Sequence, residues 1–417
     1  MPAIKILIVC EHASSSFGGE AILPLNYFRY LSKTEHEVYL LTHARSATSI
    51  SEFADIQQNH VFYMPDTYAH KFLNTLSKKL PQRLSAISVG FLIHLLTQFY
   101  QWNLAKKIIQ DNKIDLVHEP APVSAAQPSM MFRLGVPVII GPMNGGMSFP
   151  AGFQHMAGKS ERVLYRLVRL LSSFYNLLIP GKFLANILLV ANDRTRDALP
   201  KLRLGKVINL VENGVFSYLN EPKPILERAF VNVLYAGRLI DLKLIDVAID
   251  AVAKTNQNIK LTIVGNGPLY QNLEQYALTH AEGRVRFVGS IPHAEINQYY
   301  DDADIFVLPS VRECGGAVVL EAMARGLPVI AVNWGGPADY ITPETGFLVE
   351  PKSRSYLVDE FARIIGFLAD NPEMRYQLGV AAITRIKQHF LWDKKVEQVI
   401  TIYKQMLDKS AAENHVG

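Results

Sequence analysis

The chain has 417 residues, which is too long for one ordinary hydrophobic core and predicts two or three domains at roughly 150 residues each. Its hydrophobic fraction of 49% and charged fraction of 19% are typical of a globular protein and exclude an intrinsically disordered one. The formal net charge of +4 is small, so nucleic acid is not an expected partner, whereas phosphorylated substrates and anionic lipids are allowed.

Cysteine usage and apolar segments bear on the cellular compartment. Cys10 lies in an apolar run and Cys314 in a turn, which provides no disulfide framework and favours a reducing cytoplasm. Residues 1–10 contain too short an apolar run for a secretory signal. Residues 84–102 and 170–190 are interrupted by polar residues or by Pro-Gly-Lys, so neither supplies the roughly 20 apolar residues that a membrane span requires. We therefore predict a cytoplasmic protein without a transmembrane helix.

Short apolar runs alternate with helical patterns through the first half of the chain. Because such runs are typical of a parallel sheet covered by helices on both faces, they predict a Rossmann-like domain. The predicted strands of this half cover residues 4–10, 37–42, 60–64, 114–118, 137–141 and 187–191. Residues 216–230 lose the alternation and are predicted to form a linker.

The alternation restarts after the linker and predicts a second Rossmann-like domain. The predicted strands of this half cover residues 231–236, 259–264, 285–288, 305–308, 329–332 and 346–349. Helices are predicted between residues 353 and 410. The fold class is therefore α/β, with two parallel sheets.

Two carboxylates form the clearest candidate site. Glu313 and Glu321 follow the apolar run Ile305–Leu308, in a segment that consists of a Gly-Gly turn and an Ala-rich helix. This context places Glu313 in the turn and Glu321 in the second turn of the helix. In open α/β sheets, ligands bind beyond the carboxyl ends of the strands, and a carboxylate there accepts hydrogen bonds from a vicinal diol. The pair therefore predicts a nucleotide-sugar site.

Other candidates also follow predicted strands. Arg238 and Lys243 come after the strand at residues 231–236, where two cations suit a diphosphate, although a solvated surface position is the alternative for either residue alone. Gly18 and Gly19 follow the first strand, and a glycine pair there lets the backbone approach a diphosphate or serves as a plain turn.

His118, Glu119 and the turn around Asn144 are candidates in the first half. His118 ends a strand, from which its side chain can project toward a ligand, and a structural hydrogen-bonding role is the alternative. Glu119 either orients His118 or is solvated. Asn144 and Gly145 belong to a glycine-rich turn that lines the acceptor side or serves only as a turn.

The chain resembles the family 4 retaining glycosyltransferases, which have the GT-B fold, in six motifs that occur in family order over residues 5–350. The motifs are Gly18-Gly19-Glu20, His118-Glu119-Pro120, Glu212-Asn213-Gly214-Val215, Gly237-Arg238-Leu239 with Lys243, Val264-Gly265-Asn266-Gly267-Pro268, and the Glu-x7-Glu element of Glu313 and Glu321.

The resemblance implies a domain plan. The GT-B fold has two Rossmann-like domains that face each other across a deep cleft. On this plan the N-terminal acceptor domain covers residues 1–215, the linker 216–230, and the donor nucleotide-sugar domain 231–388. Residues 389–417 are expected to form a C-terminal helix that crosses back to the N-terminal domain.

The resemblance also implies residue roles. His118 is expected to contact the transferred sugar, Glu313 to bind its hydroxyl groups, and Glu321 to bind the ribose. The implied catalytic residues are His118, Arg238, Lys243 and Glu313. The implied donor-binding residues are Gly18, Gly19, Gly237, Arg238, Lys243, Gly265, Ile291, Glu313, Cys314, Gly315, Gly316, Ala317, Val318 and Glu321. Glu119, Asn144 and Gly145 are expected on the acceptor side.

The implied activity is transfer of a hexose, with retention, from a nucleoside-diphosphate sugar to a glycan or lipid-linked acceptor. No metal-ligand motif stands at a strand end, so we expect no metal and no other cofactor, with Arg238 and Lys243 supplying the positive charge. A nucleotide-sugar epimerase and a non-catalytic sugar-nucleotide-binding protein of the same fold are the alternatives.

Basic and apolar residues alternate in two segments of the first half. Such amphipathic segments predict that the protein contacts the inner face of an anionic membrane without spanning it. Core-facing helices are the alternative. The segments are Lys78, Lys79 and Arg83 before residues 84–87, and Arg162, Arg166 and Arg169 among the leucines of residues 164–171. Because both segments lie in the predicted acceptor half, they favour a lipid-linked or polysaccharide-precursor acceptor and a role in polysaccharide biosynthesis.

Overall fold

The structure is a computed structural model of the chain, and the chain forms two compact units. The first unit consists of Met1–Gly146, Val163–Glu212 and Lys395–Gly417, and the second of Met147–Arg162 and Asn213–Lys394. The structure describes residues 3–15, 17, 19–79, 88–120, 124–158, 172, 174–224, 229–256, 258–292 and 295–414.

The first unit is built on a seven-stranded parallel sheet. Its strands are β1 (Lys5–Val9), β2 (Glu37–His43), β3 (Val61–Met64), β4 (Leu116–Glu119), β5 (Val138–Met143), β6 (Ile187–Val190) and β7 (Lys206–Asn209). Their spatial order is β3-β2-β1-β4-β5-β6-β7. The helices of this unit include α1 (Gly19–Leu31), α2 (Ala47–Ser51), α3 (Tyr68–Ser77), α4 (Val89–Asn112), α5 (Gly181–Leu184) and α6 (Asp193–Ala198).

The strand order of the first sheet changes direction between β1 and β4. Leu7 of β1 pairs with Tyr39 of β2 on one side and with Val117 of β4 on the other. Leu7 and Val117 are fully buried, as expected for central strands covered on both faces. The change of direction opens a crevice at the carboxyl ends of β1 and β4, which is where ligands bind in sheets of this kind.

The six strands predicted in the first half are confirmed, and β7 is an addition. Lys206–Asn209 is a four-residue edge strand whose end residues are exposed. Because an edge strand of this length needs no continuous apolar run, its sequence lacked the signal that identified the buried strands.

The second unit is built on a six-stranded parallel sheet, and all six predicted strands are confirmed. The strands are β8 (Val231–Ala236), β9 (Ile259–Val264), β10 (Val285–Gly289), β11 (Ile305–Leu308), β12 (Val329–Val332) and β13 (Gly346–Val349). Their spatial order is β10-β9-β8-β11-β12-β13, which changes direction between β8 and β11.

Helices cover the second sheet and end the chain. Those after β8 are α7 (Ile245–Ala253), α8 (Tyr270–His280), α9 (Ile296–Asp302), α10 (Ala317–Ala324), α11 (Gly336–Tyr340), α12 (Arg354–Asp370), α13 (Pro372–His389) and α14 (Trp392–Asn414). A 3₁₀ helix, Asp241–Lys243, precedes α7.

The unit boundaries differ from the predicted domain boundaries in three places, one of which is the predicted linker 216–230, because the second unit resumes at Asn213. The segment Met147–Arg162 belongs to the second unit, although the prediction placed all of residues 1–215 in the first. The helix α14 begins in the second unit and continues in the first from Lys395. In the second unit, Val215 holds the start of this helix, because its N-H donates to Phe390 O (2.8 Å) and its carbonyl accepts from Trp392 N (3.1 Å).

Among the helices of the residues that the structure describes, none is both long enough and apolar enough to cross a membrane.

Candidate functional site

Glycines allow the loops that follow β8 and β9 to pack backbone against backbone. The Gly237 N-H donates to the end of β9 (3.0 Å), and the Gly265 N-H donates to the end of β10 (2.8 Å). A Cβ on Gly265 would overlap the carbonyl oxygen of Gly237, and one on Gly267 would overlap that of Leu239. Both Gly237 (φ +152°) and Gly265 (φ +137°) also adopt backbone conformations that favour glycine. This packing sets Arg238 at the carboxyl edge of the sheet.

The residues predicted to bind the diphosphate and the sugar meet in an ion pair. Lys243 Nζ contacts Glu313 Oε2, and the two side chains are only 17% and 14% exposed. Lys243 ends the 3₁₀ helix after β8, and Glu313 lies in the loop after β11. A hydrogen bond from Val311 N to Leu242 O (3.1 Å) joins these two segments. The contact therefore lies at the point where the strand order of the second sheet changes direction.

The charge of this cluster is positive overall. Burial lowers the pKa of the Lys243 ammonium to about 8, the neighbouring Cys314 acts to raise this pKa, and the nearby positive charge of Arg238 lowers it further. At neutral pH the lysine therefore keeps most of its charge. Arg238 is exposed, and its guanidinium makes no hydrogen bond within the described part of the chain. Two cations beside the one carboxylate of Glu313 favour an anionic ligand.

Glu321 has a different environment from Glu313. Its carboxylate accepts a hydrogen bond from the Tyr300 hydroxyl (2.9 Å), which comes from α9. Glu321 also lines a cavity of about 250 Å³, together with Ile296 and Asn297 and the turn at residues 214–217. The half-buried carboxylate therefore has one oxygen fixed by a tyrosine and faces an open space on one side of α10.

The loop that carries Glu313 is shaped by contacts that were not predicted from the sequence. Cys314 Sγ lies 3.6 Å from Met147 Sδ, and Trp334 Nε1 donates to Ser148 O (2.8 Å). A Cβ on Gly335 would overlap both the Glu313 carbonyl oxygen and the Met147 side chain. The segment that starts at Met147 and the Trp-Gly-Gly turn after β12 therefore both pack on this loop. Of these contacts, only the turn was indicated by the sequence, through the glycine pair Gly335-Gly336 that follows the buried strand β12.

The other predicted donor-binding residues lie along the same sheet edge or in the first unit. Gly316, in the left-handed conformation (φ +68°), caps α10, whose first residues Ala317 and Val318 are half-buried. Gly315 precedes them, and Ile291 is half-buried after β10. In the first unit, Gly19 starts α1, and Gly18 lies outside the described residues.

His118 lies inside the first unit, which corrects the expectation that its side chain projects from the strand end. The side chain is 0% exposed. Its Nε2 contacts the Gly141 carbonyl oxygen (2.6 Å), and its Nδ1 contacts the Tyr403 hydroxyl of α14 (2.6 Å). Burial lowers the pKa of His118 to about 4, so the ring is neutral at pH 7. With Nε2 as donor and Nδ1 as acceptor, both ring nitrogens are used within the protein.

Glu119 is neither the partner of His118 nor a solvated side chain, so both alternatives considered for it are wrong. Successive residues of a strand point to opposite faces of the sheet, and the Glu119 side chain therefore meets α4. It accepts hydrogen bonds from Gln98 (2.7 Å) and from the Ser129 hydroxyl, and it is fully buried. Burial raises the pKa of this carboxyl to about 7.

Asn144 and Gly145 are held by a polar network in the first unit. Asn144 is buried, and its side-chain amide donates to Glu212 (2.7 Å). The Gly145 N-H donates to the Thr195 hydroxyl (3.0 Å), and Arg194 donates to the Gly145 carbonyl (3.3 Å). These contacts give the turn a defined conformation, and its place on the acceptor side stays a prediction.

We expect Tyr403→Phe to lower the free energy of unfolding by about 1–3 kcal/mol, because it leaves the buried Nδ1 of His118 without its hydrogen-bond donor. Denaturant unfolding measures the change. The matched control is Tyr376→Phe, since the Tyr376 side chain is 37% exposed and should lose little. Equal stability of the two variants would contradict the assigned role of the Tyr403 hydroxyl.

Within the described ranges of the chain, no group of three or more His, Cys, Asp or Glu side chains is arranged to hold a metal ion.

Comparison with known proteins identifies the family of most of the second unit. Residues 229–385 match the family described as glycosyl transferases group 1. The chain is also similar to an uncharacterized glycosyltransferase of Methanocaldococcus jannaschii, with 22% identity over 395 residues that cover 93% of this chain and 99% of the relative. Residues 229–385 belong to this family, and the chain as a whole is similar to a glycosyltransferase.

Other relatives match a smaller part of the chain. The D-inositol 3-phosphate glycosyltransferase of Corynebacterium glutamicum is 33% identical over 197 residues, which are 44% of this chain and 45% of the relative. The chain thus spans less than half the length of this relative.

A solved structure supports the GT-B fold of the chain. The structure of Anabaena HepE in complex with UDP has a TM-score of 0.65 at 16% identity and covers 96% of this chain and 100% of HepE. The seven-stranded and six-stranded parallel sheets are those of the two Rossmann-like domains of this fold.

Proposed function

We propose that this glycosyltransferase moves a hexose from a nucleoside-diphosphate sugar to a hydroxyl group of a glycan or lipid-linked acceptor. The observation that carries the proposal is the contact of Lys243 with Glu313 beside Arg238, at the carboxyl edge of the second sheet. Departure of a nucleoside diphosphate places negative charge on its phosphates, and fixed cations stabilise that charge. Lys243 and Arg238 provide such cations, and the half-buried position of Lys243 strengthens its effect.

Glu313 has two functions in this proposal. Its carboxylate orients the Lys243 ammonium, and its remaining hydrogen-bonding capacity is available to hydroxyl groups of the transferred sugar. Since an ionised carboxylate accepts several hydrogen bonds, one group can serve both partners.

Glu321 is proposed to bind the ribose of the donor. The Tyr300 hydroxyl holds one carboxylate oxygen of Glu321, and the adjoining cavity leaves space for a ligand. The crystal structure of Anabaena HepE contains UDP, and that protein shares the fold of this chain. This likeness supports a nucleotide sugar as donor.

The proposed transfer retains the anomeric configuration and uses no metal. The acceptor oxygen forms a bond to the anomeric carbon on the face from which the diphosphate departs, as the bond between that carbon and the phosphate oxygen breaks. The proton of the acceptor hydroxyl passes to the departing phosphate. Arg238 and Lys243 take the place of a metal ion in neutralising the phosphates.

We expect Glu321→Ala to weaken donor binding by about 1–3 kcal/mol, because charged hydrogen bonds to the ribose are lost. A thermal-shift panel of nucleotide sugars with different bases and hexoses first identifies the donor, since a ligand that binds the folded state raises the melting temperature. Calorimetric titration of that donor then measures its Kd in both proteins.

The matched control for this change is Glu274→Ala on α8, where the side chain is exposed. We expect the control to keep the parental Kd. If Glu321→Ala also keeps it, the ribose assignment is wrong.

The alternative activities are separated by product analysis. A nucleotide-sugar epimerase would convert the donor without any acceptor, whereas a non-catalytic binding protein would bind it and convert nothing. Incubation of the protein with the donor alone, and then with an octyl glycoside as acceptor, distinguishes the three outcomes. We expect a glycosylated product only in the second incubation.

Peripheral contact with the inner face of the cytoplasmic membrane is part of the proposal. The helix α3 exposes apolar and basic side chains together, and no acidic residue lies within it. The exposed apolar and basic side chains are Tyr68, Lys71, Phe72 and Leu76 in the helix and Lys78 and Lys79 directly after it. Such a surface suits the boundary between anionic headgroups and acyl chains. Arg83 and residues 84–87, and Arg162, Arg166, Arg169 and residues 164–171, lie outside the described residues.

We expect the protein to float with vesicles of anionic phospholipid at low salt and to remain behind with vesicles of phosphatidylcholine alone, because the lysines in and directly after α3 need negative headgroups. Liposome flotation measures the bound fraction. A Lys71→Glu/Lys78→Glu variant should lose most of the binding. Equal flotation with both kinds of vesicle would remove the electrostatic explanation, and no flotation at low salt would remove membrane contact altogether.

A further inference from the structure

A second polar site lies in the first unit. Glu11 and His12 follow β1 at the carboxyl edge of the first sheet, next to the change of strand order between β1 and β4. Their side chains are 27% and 32% exposed. The Glu11 carbonyl accepts a hydrogen bond from the His43 N-H (3.1 Å) at the end of β2, which fixes the course of the loop.

A polar stripe on α4 holds this loop in place. His94, Gln98 and Gln101 lie on one face of the helix and are all buried against the sheet. His94 Nδ1 contacts Glu11 (3.5 Å), and Gln101 donates to the Cys10 carbonyl (2.6 Å). An apolar face would pack against the sheet without the desolvation cost of these groups. The polar character of the stripe is therefore best explained by the loop at Cys10 and Glu11 that it positions.

The Glu11 carboxylate is kept ionised. One oxygen contacts His12 Nε2 (3.5 Å) and the other contacts His94 Nδ1 (3.5 Å). Burial acts to raise the pKa of Glu11, but the hydrogen bonds from His12 and His94 outweigh it and place this pKa well below its usual range. A fixed negative charge at this edge disfavours phosphate and favours groups that donate hydrogen bonds.

An aromatic side chain completes the site. The Phe17 ring packs edge-on against the His12 ring, with centroids 5.4 Å apart, and Phe17 is 50% exposed. The site therefore combines an ionised carboxylate, an imidazole and an exposed aromatic face. Small-molecule sites have this composition, in which apolar surface packs on the ligand and a few polar groups orient it.

We propose that Glu11, His12 and Phe17 bind the sugar ring of a neutral, hydroxyl-rich acceptor. The Glu11 carboxylate accepts hydrogen bonds from two hydroxyl groups of the acceptor, and the Phe17 ring packs on the C-H face of the sugar. This inference rests on the proposed function and names the acceptor class that the first unit binds. It assigns the phosphate-free, glycosyl end of the acceptor to this site.

The test starts with binding in the absence of any donor. Saturation-transfer NMR with octyl β-D-glucopyranoside and octyl α-D-mannopyranoside is recorded on the full-length protein, below the micelle concentration. We expect binding of at least one glycoside to the parent, and loss of about tenfold or more in affinity in Glu11→Gln and in Phe17→Ala. Glu52→Gln, an exposed residue of the same unit, is the matched control and should bind as the parent does.

The second arm measures transfer. With the donor identified by thermal shift, the same variants should raise the KM for the octyl glycoside about tenfold or more, while the Kd for the donor stays at the parental value. Phe17→Ala keeps this test valid if Glu11→Gln fails to fold, because the Phe17 side chain is half exposed.

The outcomes separate this inference from the proposed function. Unchanged glycoside binding and an unchanged KM in both variants would overturn the inference while transfer by the parent upholds the proposed function. A weakened donor Kd in both variants would reassign the residues to the donor and overturn the inference as well. If the parent binds the glycoside but shows no transferase activity, and both variants lose that binding, the acceptor site is supported and the proposed activity is refuted.

Discussion

Lys243→Gln is expected to lower kcat/KM about 100-fold to 1,000-fold, which is the effect of removing one preorganised charged group from a transition state. The ammonium lies beside Glu313 and Arg238, and it is only 17% exposed. Its removal takes away positive charge where the phosphates of a departing nucleotide would sit. It also leaves the Glu313 carboxylate without its partner, so part of the loss should come from a carboxylate that now repels the phosphates.

Steady-state kinetics with the identified donor measures the loss of kcat/KM. A control variant and a double variant show how much of this loss belongs to the Lys243–Glu313 pair. Lys254→Gln is the control, because Lys254 also pairs with a carboxylate, that of Asp359, but both side chains are more than half exposed. It should keep parental activity. In the double variant Lys243→Gln/Glu313→Gln, the loss should be smaller than the product of the two single losses, since the groups act together. Parental kcat/KM in Lys243→Gln would refute the donor site.

Gly265→Ala is expected to be the most destabilising single change considered for the second unit. The added Cβ would overlap the Gly237 carbonyl oxygen, and the backbone at φ +137° is unfavourable for any residue with a Cβ. The backbone has to move, which costs about 1–3 kcal/mol for the overlap and about 1 kcal/mol or more for the conformation. Because the Gly237 loop carries Arg238, donor binding should weaken in parallel.

Gly283→Ala is the matched control for this change. Gly283 also has a positive φ (+71°), but a Cβ on it meets no atom within 4 Å. Gly283→Ala should therefore lower the free energy of unfolding only by the cost of the backbone conformation. Thermal or denaturant unfolding compares the two variants, and equal losses would show that overlap with Gly237 is not what makes Gly265 a glycine.

The strands and the charged site residues of the second unit were predictable from the chain itself. A buried parallel strand needs a run of apolar residues on both of its faces, so Ile305–Leu308 and Val329–Val332 are recognisable without tertiary information. The turn that follows such a strand opens at the carboxyl edge of the sheet. The position of Glu313 was therefore predictable, as was that of Glu321 in the second turn of α10.

Partner choice within the first unit was not predictable. His118 and Glu119 are neighbours in the chain, yet one packs against Tyr403 and the other against Gln98. The strand sends them to opposite faces of the sheet, and only the packing of α14 and α4 decides what they meet there. The hydroxyl that binds His118 comes from a residue 285 positions away, which no local pattern indicates.

The sequence by itself determined the α/β class, the two parallel sheets, and which strand ends carry charge, because these follow from local periodicity and from turns that glycine permits. The tertiary structure decided that Lys243 pairs with Glu313, that the segment from Met147 packs on the Glu313 loop, and that His118 is enclosed. These contacts join residues far apart in the chain. They depend on how loops and helices pack around each sheet, and the free energy of that packing is a property of the whole unit.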